Sequence, residues 1–238
     1  MREVEAPVGR SPADQPAVLV VDIGGANVKL WNSATGQTAF FPSGPRFRPG
    51  DLITGIERFA AGWAFTRVSV GIPTGVLGGR PYCEPHNMGD GWLGFAVEDH
   101  FDQPARLIND AVMQALGSYE GGTMLFLGLG TGLGTSLVID GMPIGLEIQH
   151  LPYRDGLTFE DWTGTRGIER FGLEVWRRHL AIVVEKMRNA TVAEYVVLGG
   201  GNVRHVETLP PHCRLGANSN AFLGGYRLWA GAEATLDA

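Results

Sequence analysis

Cysteine is nearly absent: the 238 residues hold two, Cys83 and Cys213, far apart and in no C-x-x-C pair. That excludes a disulfide framework and a cysteine-rich zinc site. Positive charge is also short, with 19 Lys and Arg against 25 Asp and Glu and a net charge of −6. An acidic chain has no general attraction to nucleic acid or to an anionic membrane, so neither is an expected partner. No apolar run is long enough to span a bilayer. Residues 1–16 are polar and proline-bearing, with no apolar h-region, and read as a disordered N-terminal tail rather than a secretion signal. The expected compartment is a reducing cytoplasm. No tandem repeat of a few tens of residues is visible.

Glycine is what the chain has in excess: 35 residues without periodicity, which excludes collagen. They cluster at Gly24-Gly25, Gly71 to Gly79, Gly128 to Gly134 and Gly199 to Gly201. Each cluster follows or interrupts a strand-like run, as expected where backbone must approach a ligand at strand ends. The run Val18 to Ile23 predicts a buried strand ending in Asp22. Two further strands are expected over Asn27 to Trp31 and Thr38 to Phe41. A Rossmann start would place a helix there instead.

Helical spacing runs over Asp51 to Ala64, with Leu52, Ile56, Phe59 and Trp63 on one face. Further strands are expected at Arg67 to Ile72, Arg106 to Ile108, Met124 to Leu129, Ser136 to Ile139 and Tyr195 to Leu198. Helices are expected at Ala111 to Gly117, Leu173 to Met187 and Ala221 to Trp229. The pattern predicts an α/β chain of two lobes around a central cleft. The smaller lobe covers 17–109 and the larger 110–238, with the last helix free to pack back on the first lobe.

Three glycine turns suit phosphate. In Asp22-Ile23-Gly24-Gly25-Ala26-Asn27-Val28-Lys29, a strand-end carboxylate precedes bare backbone N–H groups, a place for Mg²⁺ and a terminal phosphate. A hairpin with a glycine bulge fits the same residues. The second turn, Gly128 to Gly134, adds the Thr131 hydroxyl and has no G-K-[ST] of a Walker loop. The third, Gly199-Gly200-Gly201-Asn202, suits an adenosine or a distal phosphate. Asn109-Asp110 stands between a strand and a helix. Asp110 fits an N-cap, and equally the carboxylate that accepts a hydroxyl proton in phosphoryl transfer. Asn87, in the turn-rich loop Pro85 to Trp92, suits sugar hydroxyls, while Trp92 suits core packing. Glu147 and His150 offer a carboxylate and an imidazole in one segment, and a structural role fits His150 as well. The other histidines show no metal spacing.

In their order along the chain these motifs resemble the ROK-family sugar kinases of the actin/hexokinase superfamily, above all the polyphosphate glucokinase branch. The resemblance runs from Val18 to Trp229. It implies a ribonuclease-H-like (actin/hexokinase-type) fold with a central cleft and a glucokinase-type transfer from ATP or polyphosphate to a hexose, at O6. Asp110 would be the base. Asn87, Asn109, Glu147, His150 and Thr74 would hold the sugar. Gly24, Gly25, Asn27, Lys29, Gly130, Thr131 and Gly132 would hold donor phosphates, and Gly199, Gly200 and Gly201 the adenosine or outer phosphates. Asp22 would stand near Mg²⁺, directly or through water. A homodimer is implied. Ala26, Thr74 and Gln149 depart from the family pattern, where threonine, glycine and glycine are usual. A sugar-sensing relative and an amino-sugar kinase are the alternative readings.

With only two cysteines the family's zinc motif is missing, so activity is expected to survive a zinc-specific chelator. Loss to the chelator with recovery on adding zinc would contradict this.

Overall fold

The computed structural model describes residues 16–217 and 219–230. All but the last residue of the expected tail at 1–16 lies outside them. The first sheet holds β1 (Val18–Ile23), β2 (Asn27–Asn32), β3 (Thr38–Pro42), β4 (Arg67–Ile72) and β7 (Ala105–Asn109), after the short hairpin β5 (Val76–Leu77) and β6 (Arg80–Pro81). Its order is β3-β2-β1-β4-β7. The hairpin strands β2 and β3 run antiparallel, while β4 and β7 run parallel to β1. The second sheet holds β8 (Thr123–Leu129), β9 (Leu133–Ile139), β10 (Met142–Leu146), β13 (Tyr195–Gly199) and β14 (Cys213–Leu215). Its order, β10-β9-β8-β13-β14, has the same directions. The architecture is thus duplicated although the sequence shows no repeat, because each half needs only the same apolar pattern. The remaining pair, β11 (Pro152–Arg154) and β12 (Leu157–Thr158), forms a small ribbon.

Among the described residues six α-helices fill the faces: α1 (Pro49–Phe59), α2 (Asp110–Ser118), α3 (Phe159–Thr163), α4 (Thr165–Phe171), α5 (Leu173–Thr191) and α6 (Asn220–Ala230). Strand β1 is buried on both sides. Its odd residues Leu19, Val21 and Ile23 pack with Leu52 and Ile56 of α1. Its even residues Val18 and Val20 pack with Met113 of α2 and with Ala221 and Trp229 of α6. Strand β8 divides likewise. Met124 and Phe126 face Ala111 and Ala115 of α2, and Leu125, Leu127 and Leu129 face Trp176, Leu180 and Val183 of α5. Helix α2 is therefore a wedge between the two sheets, which is why seven of its nine residues are buried. Helix α6 is tied to the first sheet by polar anchors. The Trp229 indole donates to Ser69 Oγ (2.8 Å), and Ser69 Oγ donates to the Gly225 carbonyl (2.6 Å). Arg106 donates to the Leu228 carbonyl and stacks over Trp229 at 4.0 Å.

Two details differ from the sequence reading. Helix α1 ends at Phe59, not Ala64, because Gly62 takes a left-handed backbone (φ +76°). Trp63 then packs on the core from the turn rather than from a helix face. Helices α3 and α4 were not anticipated, though the capping box at Thr158 and Asp161 signals their start. Among the described residues no helix is long and apolar enough to cross a membrane.

Helices α2 and α6 cross backbone to backbone. A β-carbon on Gly224 would overlap the Met113 carbonyl, and one on Gly117 would overlap the Asn220 carbonyl. Neither obstacle is a flexible side chain, so Gly224→Ala should cost ~3 kcal/mol or more, the upper end for overpacking. Gly50→Ala, which meets nothing, should cost under ~0.5 kcal/mol. Urea unfolding of the two variants checks this, and equal midpoints would refute the crossing.

Candidate active site

Parallel pairing sets three strand ends side by side. Asp22 pairs with Gly71, and Ile72 with Asn109, so β1, β4 and β7 deliver Asp22, Thr74 and Asn109-Asp110 to one edge. Carboxyl ends of parallel strands are where such sheets bind ligands. In the second sheet Gly128 pairs with Gly199, bringing the second and third glycine turns together. Alternation along β1 puts Asp22 on the face of Val18 and Val20, toward the start of α2.

Helix α2 is capped by Asn109, not Asp110. Asn109 Oδ1 accepts from the N–H groups of Ala111 (2.9 Å) and Val112 (3.1 Å), and its amide donates to the Thr74 carbonyl (3.0 Å). Asp110 is thereby freed for the cleft as the first helical residue, with one oxygen on the Ala111 N–H (2.8 Å). It keeps partial exposure yet lies deep among protein atoms. Burial, then the negative charges of Asp22 and Glu147, push its carboxyl up to about 7. Two backbone hydrogen bonds oppose the shift without cancelling it. Asp22 is buried, and desolvation raises its pKa against the pull of Lys29, whose ammonium is 3.3 Å away. The structure thus brings Asp22 and Glu147 each within electrostatic reach of Asp110.

The glycine turns flank this trio. In the first, the Gly24 N–H bonds to the Asn27 carbonyl, and Ser43 grips the turn through the Gly24 and Ala26 carbonyls. Among the described residues the N–H groups of Gly25 and Ala26 have no acceptor, nor do those of Thr131 and Gly132 in the second turn. Consecutive free amides make an anion nest. The second turn is clamped from outside. The Gly130 carbonyl accepts from the Thr165 N–H (3.1 Å), the Thr165 hydroxyl (3.0 Å) and the Asn202 amide (2.8 Å). The Glu160 carboxylate rests against Gly132 and accepts from the Leu133 N–H (3.3 Å). Gly200 packs on Leu129, where a side chain would not fit. Thr165 and Glu160 lie far from the motifs they support, and no sequence spacing marks them.

Glu147, Gln149 and His150 form one cluster. Gln149 is buried, accepts from the Thr135 hydroxyl (2.7 Å) and donates to the Glu147 carboxylate. His150 Nε2 lies 3.3 Å from Glu147 Oε2. A glutamine side chain, rather than backbone freedom, therefore shapes this segment, and it holds no left-handed residue. The Thr74 hydroxyl bonds to the carbonyl (3.2 Å) and thiol (3.1 Å) of Cys83, tying the 73–75 loop to the β5–β6 hairpin. Asn87 is exposed, and no hydrogen bond joins its side chain to the other candidate residues among those described. Trp92 is fully buried, its indole on the Phe47 carbonyl. Among the described residues no group of three or more His, Cys, Asp or Glu is arranged to hold a metal ion.

No family model and no curated protein matches the chain. Solved structures do. An inorganic polyphosphate/ATP-glucomannokinase from Arthrobacter sp. strain KM shares 20% identity over 94% of this chain and 100% of its own, with a TM-score of 0.76. A ROK-family glucokinase from Streptomyces griseus, in complex with glucose and AMPPNP, shares 15% identity over 89% and 98%, with a TM-score of 0.74. A ROK-family transcriptional regulator, a homologue of the E. coli MLC protein, shares 15% over 89% and 77%, with a TM-score of 0.69. At such identities the likeness establishes the fold: the two-lobed actin/hexokinase type found in ROK-family sugar kinases.

The raised Asp110 carries a stability signature. Its folded pKa exceeds the unfolded value, so the folded state binds the extra proton between about pH 4 and 7 and loses that advantage as pH rises through about 7. Asp110→Asn, which cannot ionise, should therefore melt higher than the parent at pH 8, and the gap should shrink at pH 5. Melting curves at both pH values test it, and a parent that melts higher at pH 8 would refute the buried charge.

Proposed function

We propose that this chain is a ROK-family sugar kinase that transfers the terminal phosphoryl group of ATP or polyphosphate to O6 of a hexose, glucose first. The observation that carries the reading is Asp110: a carboxyl pushed up to about 7 at the strand ends of the first sheet, with Asp22 and Glu147 acting on it. A general base works best with a pKa near the operating pH. The hexose hydroxyl would give its proton to Asp110 as the oxygen bonds to the terminal phosphorus. The bond from phosphorus to the bridging oxygen then breaks, and the leaving phosphate keeps the electron pair. Glu147, His150, Asn87 and Asn109 would orient the ring. The amides of Gly25, Ala26, Thr131 and Gly132 would take the donor's oxygens, as such nests do.

Asp22 suits a hydrated Mg²⁺ carried in on the phosphates. A phosphate-borne Mg²⁺ needs only one or two protein carboxylates, and Asp22 is a buried charge with one half-exposed partner. When bound, the ion would neutralise negative charge on the donor. Asp22 would hold its shell, and Lys29 would be released toward the phosphates. The loss of a threonine hydroxyl at Ala26 leaves its amide in place. A homodimer in the cytoplasm completes the proposal.

A sugar-binding protein without turnover is the second reading. One observation favours it: Glu147 is already engaged by Gln149 and His150. Both readings are tested by a coupled assay for glucose 6-phosphate, with Mg²⁺ and with ATP or polyphosphate in turn. Turnover is expected with at least one donor. It should fall about tenfold per pH unit below about pH 7 as Asp110 takes up its proton. Asp110→Asn should keep glucose binding and lose ~10³-fold or more in turnover. Glucose binding with no turnover from either donor would favour the second reading, and near-normal turnover in the variant would remove Asp110 as the base.

A further inference from the structure

The acceptor end of the cleft is bounded by side chains from both lobes. Glu147 and His150 come from the second. From the first comes the loop at 85–92, where His86 precedes Asn87. The His86 ring meets the His150 ring edge to face, with centroids 6.3 Å apart. The contact joins the two lobes across the cleft mouth. Core packing does not account for it, because His86 is exposed while Met88 and Trp92 anchor the same loop. Nor can His150 retreat freely. Gln149, fixed to the Thr135 hydroxyl, holds the Glu147 carboxylate that His150 touches. Half-exposed Tyr82 lies on the same side: its ring rests against Gly75, where any β-carbon would overlap it. Its phenol is raised by burial first and by Glu147 second, so it lies within electrostatic reach of the same carboxylate.

We propose that His86 determines acceptor specificity: with His150 it closes the cleft over the hexose, leaving room beside Glu147 for a hydroxyl but not for an acylamino group. The acceptor class is then the unsubstituted hexose and not the N-acetylhexosamine. This rests on the acceptor site proposed above. A ring in this place selects by volume, and the bulk of the side chain matters more than its hydrogen bonds. A misplaced group of a few atoms in a closed pocket commonly costs ~10–200-fold, so the wall is worth a discrimination of about that size.

The test compares the parent protein, His86→Ala and His86→Phe with glucose and with N-acetylglucosamine. Turnover and calorimetric binding are both measured. The parent should prefer glucose by ~10²-fold in kcat/KM. His86→Ala should lose at least tenfold of that preference by gaining N-acetylglucosamine relative to glucose, and His86→Phe should retain it. A parent that binds both sugars equally overturns the proposal without reference to any variant. So does a folded His86→Ala protein with unchanged preference. Absence of turnover with every sugar and donor would sink the kinase reading alone, because the calorimetric preference still reports the wall.

Discussion

Helix α2 is the constraint on which the rest depends. It starts at the edge of the first sheet, lies on the second, and is crossed by α6. Its apolar residues divide between two cores, Met113 toward β1 and α6, Ala111 and Ala115 toward β8. A helix buried on all sides cannot rotate or slide without opening a core, and cavities of that kind cost several kcal/mol. Its first residue is Asp110. The position of the proposed base is thus set by packing a full helix length away, through Gly117 and Gly224, rather than by contacts at the cleft. Asn109 adds the local lock, because one amide side chain both caps α2 and holds the 73–75 loop.

The cleft this builds is crowded with negative charge. Asp22 and Glu147 both act on Asp110, Glu160 borders the second turn, and Lys29 is already committed to Asp22. On Asp110, desolvation and repulsion from Asp22 and Glu147 act in the same direction. A polyanionic donor would be repelled from such a place if side chains alone faced it. The free amides of the two turns reverse that locally, and so would a cation on the donor itself. The acidic net charge of the chain and its phosphate-shaped turns are compatible for this reason.

Much of this was legible in the sequence, and the boundary is physical. Strands such as Val18 to Ile23, the glycine turns at their ends and the buried stripe of α5 are local patterns, and each holds in the structure. Asp110 was legible as a residue between strand and helix, but not which of two neighbours caps. That depends on the Asn109 amide finding the Thr74 carbonyl, 35 residues away in sequence. Thr165 on the Gly130 carbonyl, Glu160 on Gly132 and His86 on His150 are long-range side-chain contacts without spacing or period. The duplicated topology leaves no repeat that a search would detect, because the two sheets share strand directions but few residues; the two lobes were legible only from the paired strand-and-glycine openings and the order of the motifs.

The donor is the point at which fold and charge part company. Arg166, Arg170, Arg177, Arg178 and Lys186 offer a basic strip, but three of them already have acidic partners: Arg166 has Asp161, Arg177 has Glu207 and Arg178 has Glu174. That does not disqualify it. These pairs are solvent-exposed or nearly so, and such pairs contribute only ~0–1 kcal/mol. A phosphate chain that brings several charges at once can displace partners held so weakly, whereas the single tail of a nucleotide has less to gain by it. Exposed pairs are also the ones that salt screens most. The strip therefore favours polyphosphate only to the extent that polyphosphate use, and not ATP use, weakens as ionic strength rises. A donor held wholly by the amides at Gly25, Ala26, Thr131 and Gly132 would feel that change far less.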